Sequence, residues 1–367
     1  MWELFMLLHQ DVGFHNVTQL EPAEGGGLYL RRFPAPVRSK LIPLGRMVSA
    51  ESSGVELRFV TDSPNFCLAV GSRPSVLAPF ETHLQDLFIF RGAFLHSHHR
   101  LDPGKINRIN VINIGNVEKF NEIAEPHGLA CGFSWNVWRI LFGRYPAIYW
   151  GLDTYDSPRR PPLATEVPTR RWLAYGSSIT HGGAATLHHG AYIYHAARVA
   201  GLDVLNQGLS GSCQCETHVA DYFSARTDWD IITLEIGVNL RPSTSPQEYF
   251  RRVSYMLEKL RQTHPAAPII LLTIFPNAAS AAHTAGTNAV STERESQFNA
   301  ILRDLVTGNA AGNVYLVESH ELLDNFGDLS VDLIHPSDYG HARMGANLGL
   351  RLRRILDTTS PYPLSAA

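Results

Sequence analysis

Two adjacent serines interrupt the stretch AYGSSITHG, residues 174–182, just after an apolar run that reads as a β-strand. A serine hydroxyl is a poor nucleophile at neutral pH and needs a base to take its proton during attack. His335 can be that base if a neighbouring acceptor fixes its tautomer, and Asp332 stands three residues before it. The tetrahedral intermediate of acyl transfer carries an oxyanion, which needs preorganised donors. The backbone N–H groups of Ser178 and Gly211 and the side-chain amide of Asn239 are the candidates. Nucleophile Ser178, base His335, orienting acid Asp332 and oxyanion donors Ser178, Gly211 and Asn239 together make the inventory of acyl transfer to serine.

These residues lie far apart in sequence, so a fold must bring them together. After residue 170 the rhythm alternates strand, loop and helix. RWLAYG, DVLNQG, DIITLEIGVN, PIILLTIF and NVYLVE read as strands; GAYIYHAARVAG, SPQEYFRRVSYMLEKL and YGHARMGANLGLRLRRIL read as helices. Ser245 suits the N-cap of the second helix, Pro246 its first position and Glu248 a capping box, with Phe250, Val253, Leu257 and Leu260 as its core stripe. Such alternation predicts a parallel sheet covered by helices on both faces, and ligands bind such sheets beyond the carboxyl ends of the strands. Each candidate follows a predicted strand, directly or, for Asp332 and His335, after a connecting segment.

Residues 25–150 instead follow period two. GVELRFV places Val55, Leu57 and Phe59 on one face and Glu56 and Arg58 on the other; NFCLAV, LFIFRGAF and RINVINIG are further short β-rich runs without helical periodicity between them. This predicts an antiparallel jelly-roll-like sandwich. Residues 156–170 hold four prolines in fifteen and read as an extended, semi-rigid linker. The expected division is a β-sandwich domain over 1–165 and a catalytic domain over 166–367.

The α/β-hydrolase signature Gly-x-Ser-x-Gly is not met: Gly176-Ser177-Ser178-Ile179-Thr180 ends in threonine. The chain instead resembles the SGNH, or GDSL-type, hydrolase superfamily. GSSIT resembles its nucleophile block, NQGLSG its oxyanion-glycine block, GVN its Gly-x-Asn block and DLIHP its Asp-x-x-His-Pro block, in order. The resemblance implies a three-layer flavodoxin-like fold, Ser178, Asp332 and His335 as catalytic residues, Gly211 and Asn239 in the oxyanion hole, and no metal or organic cofactor. The family's usual acid before the nucleophile is Ser177 here, which bears on the rigidity of the turn. The β-rich half resembles the N-terminal jelly roll of carbohydrate esterases, implying short acyl esters, acetyl among them, on sugars or similar alcohols. An acyltransferase, a lipase, a thioesterase or a sugar-binding protein with a vestigial hydrolase half stay open as alternatives.

Composition narrows the partners. Net charge is −3 over 367 residues, with no run of like charge, so neither nucleic acid nor an anionic membrane is expected as a partner. The apolar N-terminus carries Glu3 and no basic region and reads as a packed segment rather than a signal peptide; a cytoplasmic protein is the default. The resemblance implies a small-molecule or saccharide ester as substrate, and the sequence leaves a homo-oligomer open. Cys213 and Cys215 read as buried thiols without a second metal-binding pair. His181, His188 and His189 read as loop histidines, and His96, His98 and His99 as a solvated loop. Trp150, Trp172 and Trp229 read as packing residues.

Overall fold

The computed structural model describes residues 6–75, 85–113, 119, 132–281, 289–308 and 312–359. Part of the N-terminal segment, residues 1–5, lies outside these; Leu7–His9 forms a strand. The N-terminal half is a sandwich of two antiparallel sheets. One runs in the order Leu7–His9, Val12–His15, Glu56–Thr61, Val137–Phe142, Asp86–Arg91 and Phe94–Arg100. The other runs Gln19–Pro22, Leu28–Arg31, Ala147–Asp153, Asn65–Ser72 and Ile106–Ile112. Alternating residues from both, among them Val55, Leu57, Phe59, Phe66, Leu68 and Trp138, fill the space between them.

The proline-rich segment is less of a free linker than its composition predicts. Arg159–Arg160 pairs with Thr61 and Val60, Ala164–Glu166 forms one 3₁₀ turn, and Glu166 accepts both guanidinium nitrogens of Arg160. Proline sets φ but leaves its neighbours' N–H groups free, and here they find the sandwich edge.

The C-terminal half is a five-stranded parallel sheet. Its strands are Arg171–Gly176, Asp203–Gly208, Ile231–Glu235, Ile269–Leu272 and Val314–Val317, and in space the second precedes the first. This 2-1-3-4-5 order is the flavodoxin-like one. Helices Thr217–Ala225, Pro246–Thr263 and Ala289–Thr307 belong with the core on one face; Tyr192–Ala200 and Asp338–Thr359 belong with the core on the other. Ser245 caps the long helix by accepting from Glu248 N at 3.2 Å. Its buried stripe is Tyr249, Val253, Met256, Leu257 and Leu260, while the expected Phe250 is half exposed: the helix is rotated so that Tyr249 stacks on Phe298, at 3.8 Å between ring centroids.

The two halves meet along the edge strand Asp203–Gly208, every residue of which is buried. Its outward carbonyls are satisfied by side chains of the sandwich half. His15 Nε2 donates to Val204 O at 2.8 Å, Asn16 and Arg32 to Asn206 O at 3.1 and 2.9 Å, and Arg32 to Gly208 O at 3.1 Å. Arg58 adds a bidentate pair with Asp203. Glu56 and Arg58, on the face opposite Val55, Leu57 and Phe59, are buried as well, because that face meets the second half of the chain at Asp203.

The histidines follow the same logic. His96, His98 and His99 lie on the strand Phe94–Arg100 rather than in a loop, with His98 stacked on Phe88 and 3.0 Å from Asp86. His181 closes the short helix Ser178–His181, and His188 and His189 lie on the one-turn 3₁₀ helix His188–Gly190, so none is a loop histidine; His181 and His188 are buried between the halves and His189 packs against Phe88. Among the described residues no helix is long and apolar enough to cross a membrane, and no group of three His, Cys, Asp or Glu is arranged to hold a metal ion.

Candidate active site

Ser178 follows the first parallel strand directly and opens the short helix Ser178–His181. The chain turns because Ser177 takes an extended conformation and its hydroxyl accepts from Ile179 N at 3.2 Å, an N-cap one residue before the candidate nucleophile. His335 and Asp332 come from the segment between the last strand and the last helix. Ser178 Oγ lies 2.6 Å from His335 Nε2, and His335 Nδ1 lies 2.6 Å from Asp332 Oδ2. With Nδ1–H donating to the carboxylate, Nε2 is left to accept the serine proton.

Asp332 is itself held in place. Its Oδ1 accepts from the backbone N–H of Ile334 and His335, both at 2.9 Å, and from Ser330 Oγ at 2.8 Å. Partial burial works against its charge, but the bonds from His335, Ile334 and Ser330 outweigh it and hold the carboxyl well below the usual carboxylate range. The imidazole thus faces an ionised partner at any working pH. The arrangement is open to solvent: the Asp332 side chain is 44% exposed and that of His335 23%.

Gly183 permits the approach of the imidazole. A Cβ there would lie 2.9 Å from His335 Cδ2. Gly183 N donates to Ser178 O at 2.7 Å, and its carbonyl accepts from His341 Nε2 at 2.9 Å. Burial pushes the His341 imidazole down to about 4, so it stays neutral while its Nδ1 accepts from Tyr192 N. His341 ties the turn after Ser178 to the last helix. Nothing in the sequence singles it out, because its partner is 158 residues away.

Gly211 and Asn239 follow the strands that flank Arg171–Gly176 on either side, so both stand at the carboxyl edge beside Ser178. Gly211 has φ +64°, a conformation that glycine adopts without strain. Asn239 Oδ1 accepts from Cys213 N at 3.2 Å, and Gln214 Nε2 donates to Asn239 O at 3.0 Å. With Oδ1 engaged, the Nδ2 donors of Asn239 face away from that contact. Leu44, on the sandwich-half helix Pro43–Val48, reaches over Gly211: its Cδ2 lies 2.9 Å from where a Gly211 Cβ would stand.

The remaining candidates are structural. His181 Nδ1 meets Ser210 Oγ at 2.8 Å, and His188 Nε2 meets Tyr194 OH at 2.7 Å. Burial pushes the Cys215 thiol up to about 12 and the Cys213 thiol well above its ordinary value, as befits inert packing groups. Trp172 and Trp229 are buried, the former donating to Thr233 Oγ1 at 2.9 Å.

A model of the GDSL-like Lipase/Acylhydrolase family matches residues 169–352. The chain belongs to that family. It is accordingly an ester-hydrolysing enzyme, and the matched range contains the four sequence blocks. No curated protein matches it. Among solved structures, a salicylyl-acyltransferase from a tetracycline biosynthetic pathway superposes with TM-score 0.75 at 17% identity, over 98% of this chain and 97% of the other. A family two carbohydrate esterase from Clostridium thermocellum, solved with cellohexaose, gives 0.56 at 14% identity, over 83% and 93%. One from Cellvibrio japonicus gives 0.55 at 14% identity, over 96% and 97%. At these identities the likeness is one of fold. It extends through the sandwich, so the GDSL half and its N-terminal companion form a shared architecture.

Proposed function

We propose that the protein is a serine esterase that removes a short acyl group from a polar alcohol, sugar hydroxyls included. The observation that carries this is the continuous hydrogen-bond relay from Ser178 Oγ through His335 to Asp332. Ser178 Oγ attacks the ester carbonyl carbon while its proton passes to His335 Nε2. The oxyanion is held by the N–H groups of Ser178 and Gly211 and the amide of Asn239. Collapse of the intermediate expels the alcohol, which takes the proton from His335 and leaves an acyl-serine. Water, deprotonated by the same imidazole, then releases the acid. The open site, with Asp332 half exposed and Val331 wholly so, suits a bulky alcohol projecting into solvent around a small acyl group.

Replacing Ser178 by Ala is expected to lower hydrolysis of p-nitrophenyl acetate by at least about 10³-fold, leaving residual turnover from the oxyanion donors, with the far-UV spectrum unchanged. Undiminished turnover would reject the assignment.

The full-length likeness to an acyltransferase supports a second reading, in which a bound alcohol and not water resolves the acyl-serine. Product analysis with sugars and aromatic alcohols present separates the two: acyl transfer outpacing acid release marks a transferase.

A further inference from the structure

The turn that presents Ser178 rests on one buried carboxylate. Glu235 ends the strand Ile231–Glu235 beside the first strand, with Gly176 as its register partner, and is 3% exposed. Its Oε2 accepts from Ser177 N at 2.7 Å, Ser177 Oγ at 2.7 Å and Thr180 Oγ1 at 3.0 Å. Gly176 makes room for it, since a Cβ there would lie 2.6 Å from the same oxygen. Two of these donors precede Ser178 in the chain and one follows it.

The proton directions close on the same atom. Ser177 Oγ accepts from Ile179 N, so its single hydrogen goes to Glu235. Thr180 likewise donates to Glu235 and accepts from Tyr192 OH at 2.8 Å. A buried carboxyl is costly unless its acceptor capacity is used, and a capped turn alone needs only the Ser177 hydroxyl. The carboxyl adds an anchor for the loop from the neighbouring strand.

We propose that Glu235 is the positioning residue of the nucleophile turn, supplying from the adjacent strand the carboxylate acceptor that the turn itself, with Ser177 before the nucleophile, does not carry. The inference rests on the reading of Ser178 as nucleophile. Glu235 touches neither substrate nor Ser178 Oγ; it sets where Ser178 Oγ stands relative to His335 Nε2 and where the Ser178 N–H points. Loss of that anchor misplaces the attacking atom and one oxyanion donor together, which lowers kcat and leaves ground-state binding intact.

The test compares four variants by steady-state hydrolysis of p-nitrophenyl acetate at about pH 8, by the rate at which a fluorophosphonate labels the serine, and by Tm. Glu235→Gln keeps the shape and is expected to lose about 10- to 100-fold in kcat and in labelling rate, with KM changed by less than about twofold. The double variant Ser177→Asp with Glu235→Gln returns an acid to the turn and is expected to recover at least about tenfold of the loss. Turnover of Glu235→Gln within about twofold of the parent overturns the proposal, as does a loss that the double variant fails to restore. Should Glu235→Gln not fold, Thr180→Val, which removes one donor to the carboxyl and keeps the Ser177 cap, takes its place and is expected to lower kcat about three- to tenfold at unchanged KM; an unchanged kcat then overturns the proposal. Ser178→Ala separates the two levels. If it retains activity and labelling, the reading of the site itself falls; if it is dead while Glu235→Gln is fully active, only the role of Glu235 falls.

Discussion

Arg58 grips Asp203 with both terminal nitrogens of its guanidinium, at 2.6 and 2.7 Å, across 145 residues of sequence. Both side chains are more than nine-tenths buried. Burial alone would raise the Asp203 carboxyl; the facing Arg58 charge reverses the sign and holds it below its ordinary value. A depressed carboxyl contributes stability that is present above the unfolded value, about 3.8, and is lost as pH falls through the folded one.

Replacing Arg58 by Met should therefore cost about 3–5 kcal/mol at pH 7, because Asp203 is left buried without its cation. The penalty should shrink as pH falls towards about 4, where the orphaned carboxyl takes a proton. Thermal unfolding of parent and variant between pH 4 and 8 checks this. A gap that does not change with pH would place the loss in packing instead of charge.

Replacing Asp332 by Asn presents an amide N–H to His335 Nδ1 and so favours the tautomer that cannot accept the serine proton. Loss of at least about 10²-fold in kcat/KM is expected, with little change in KM. A loss below tenfold would mean that other groups orient the imidazole. Because Asp332 is held far below the usual range, no acid limb of the pH–rate profile above about pH 4 should move when Ser330, one of its donors, is changed to Ala.

Glu235 behaves oppositely. Burial pushes its carboxyl up to about 7, against the bonds from Ser177 and Thr180. The titratable groups facing it, Tyr192, Cys213 and Tyr249, are all driven further towards their neutral forms by burial. A raised carboxyl contributes stability that is complete below the unfolded value and is lost as pH rises through the folded one, here about 3 kcal/mol between about pH 4.5 and 7. Glu235→Gln has no such loss. Its Tm should gain on the parent between pH 5 and 8, whatever the offset at pH 5. Parallel curves would assign the titration to another group.

Leu44 is expected to shape the acyl pocket. Leu44→Ala should raise kcat/KM for butyryl over acetyl p-nitrophenyl esters by about tenfold, the usual worth of one or two methylenes in a pocket. An unchanged ratio would remove the sandwich half from substrate selection.

What could be read from the sequence was whatever is local. The strand-end positions of Ser178, Gly211 and Asn239, the helix cap at Ser245 and the change of rhythm near the prolines are short-range signals, and each has its counterpart in the structure. Partners distant in sequence were not legible. Glu235 lies in an apolar run, IITLEIG, where a single acid looks incidental until Ser177 is seen beside it. Glu56 and Arg58 alternate with core residues, so period two puts them on the opposite face; that this face is buried too depends on partners far along the chain, Arg139 for Glu56 and Asp203 for Arg58. His96, His98 and His99 lack the apolar alternation that marks a strand, though His98 and His99 pair with Phe88 and Leu87 all the same, and His96 falls at the register shift between them and Leu95.

The carbonyls of Val204, Asn206 and Gly208 are answered by imidazole, amide and guanidinium groups from the other half of the chain. An open strand in their place would recruit a strand from another molecule. A different companion domain would leave these three carbonyls unanswered unless it brought donors of matching position, so the seam ties the hydrolase sheet to this particular sandwich.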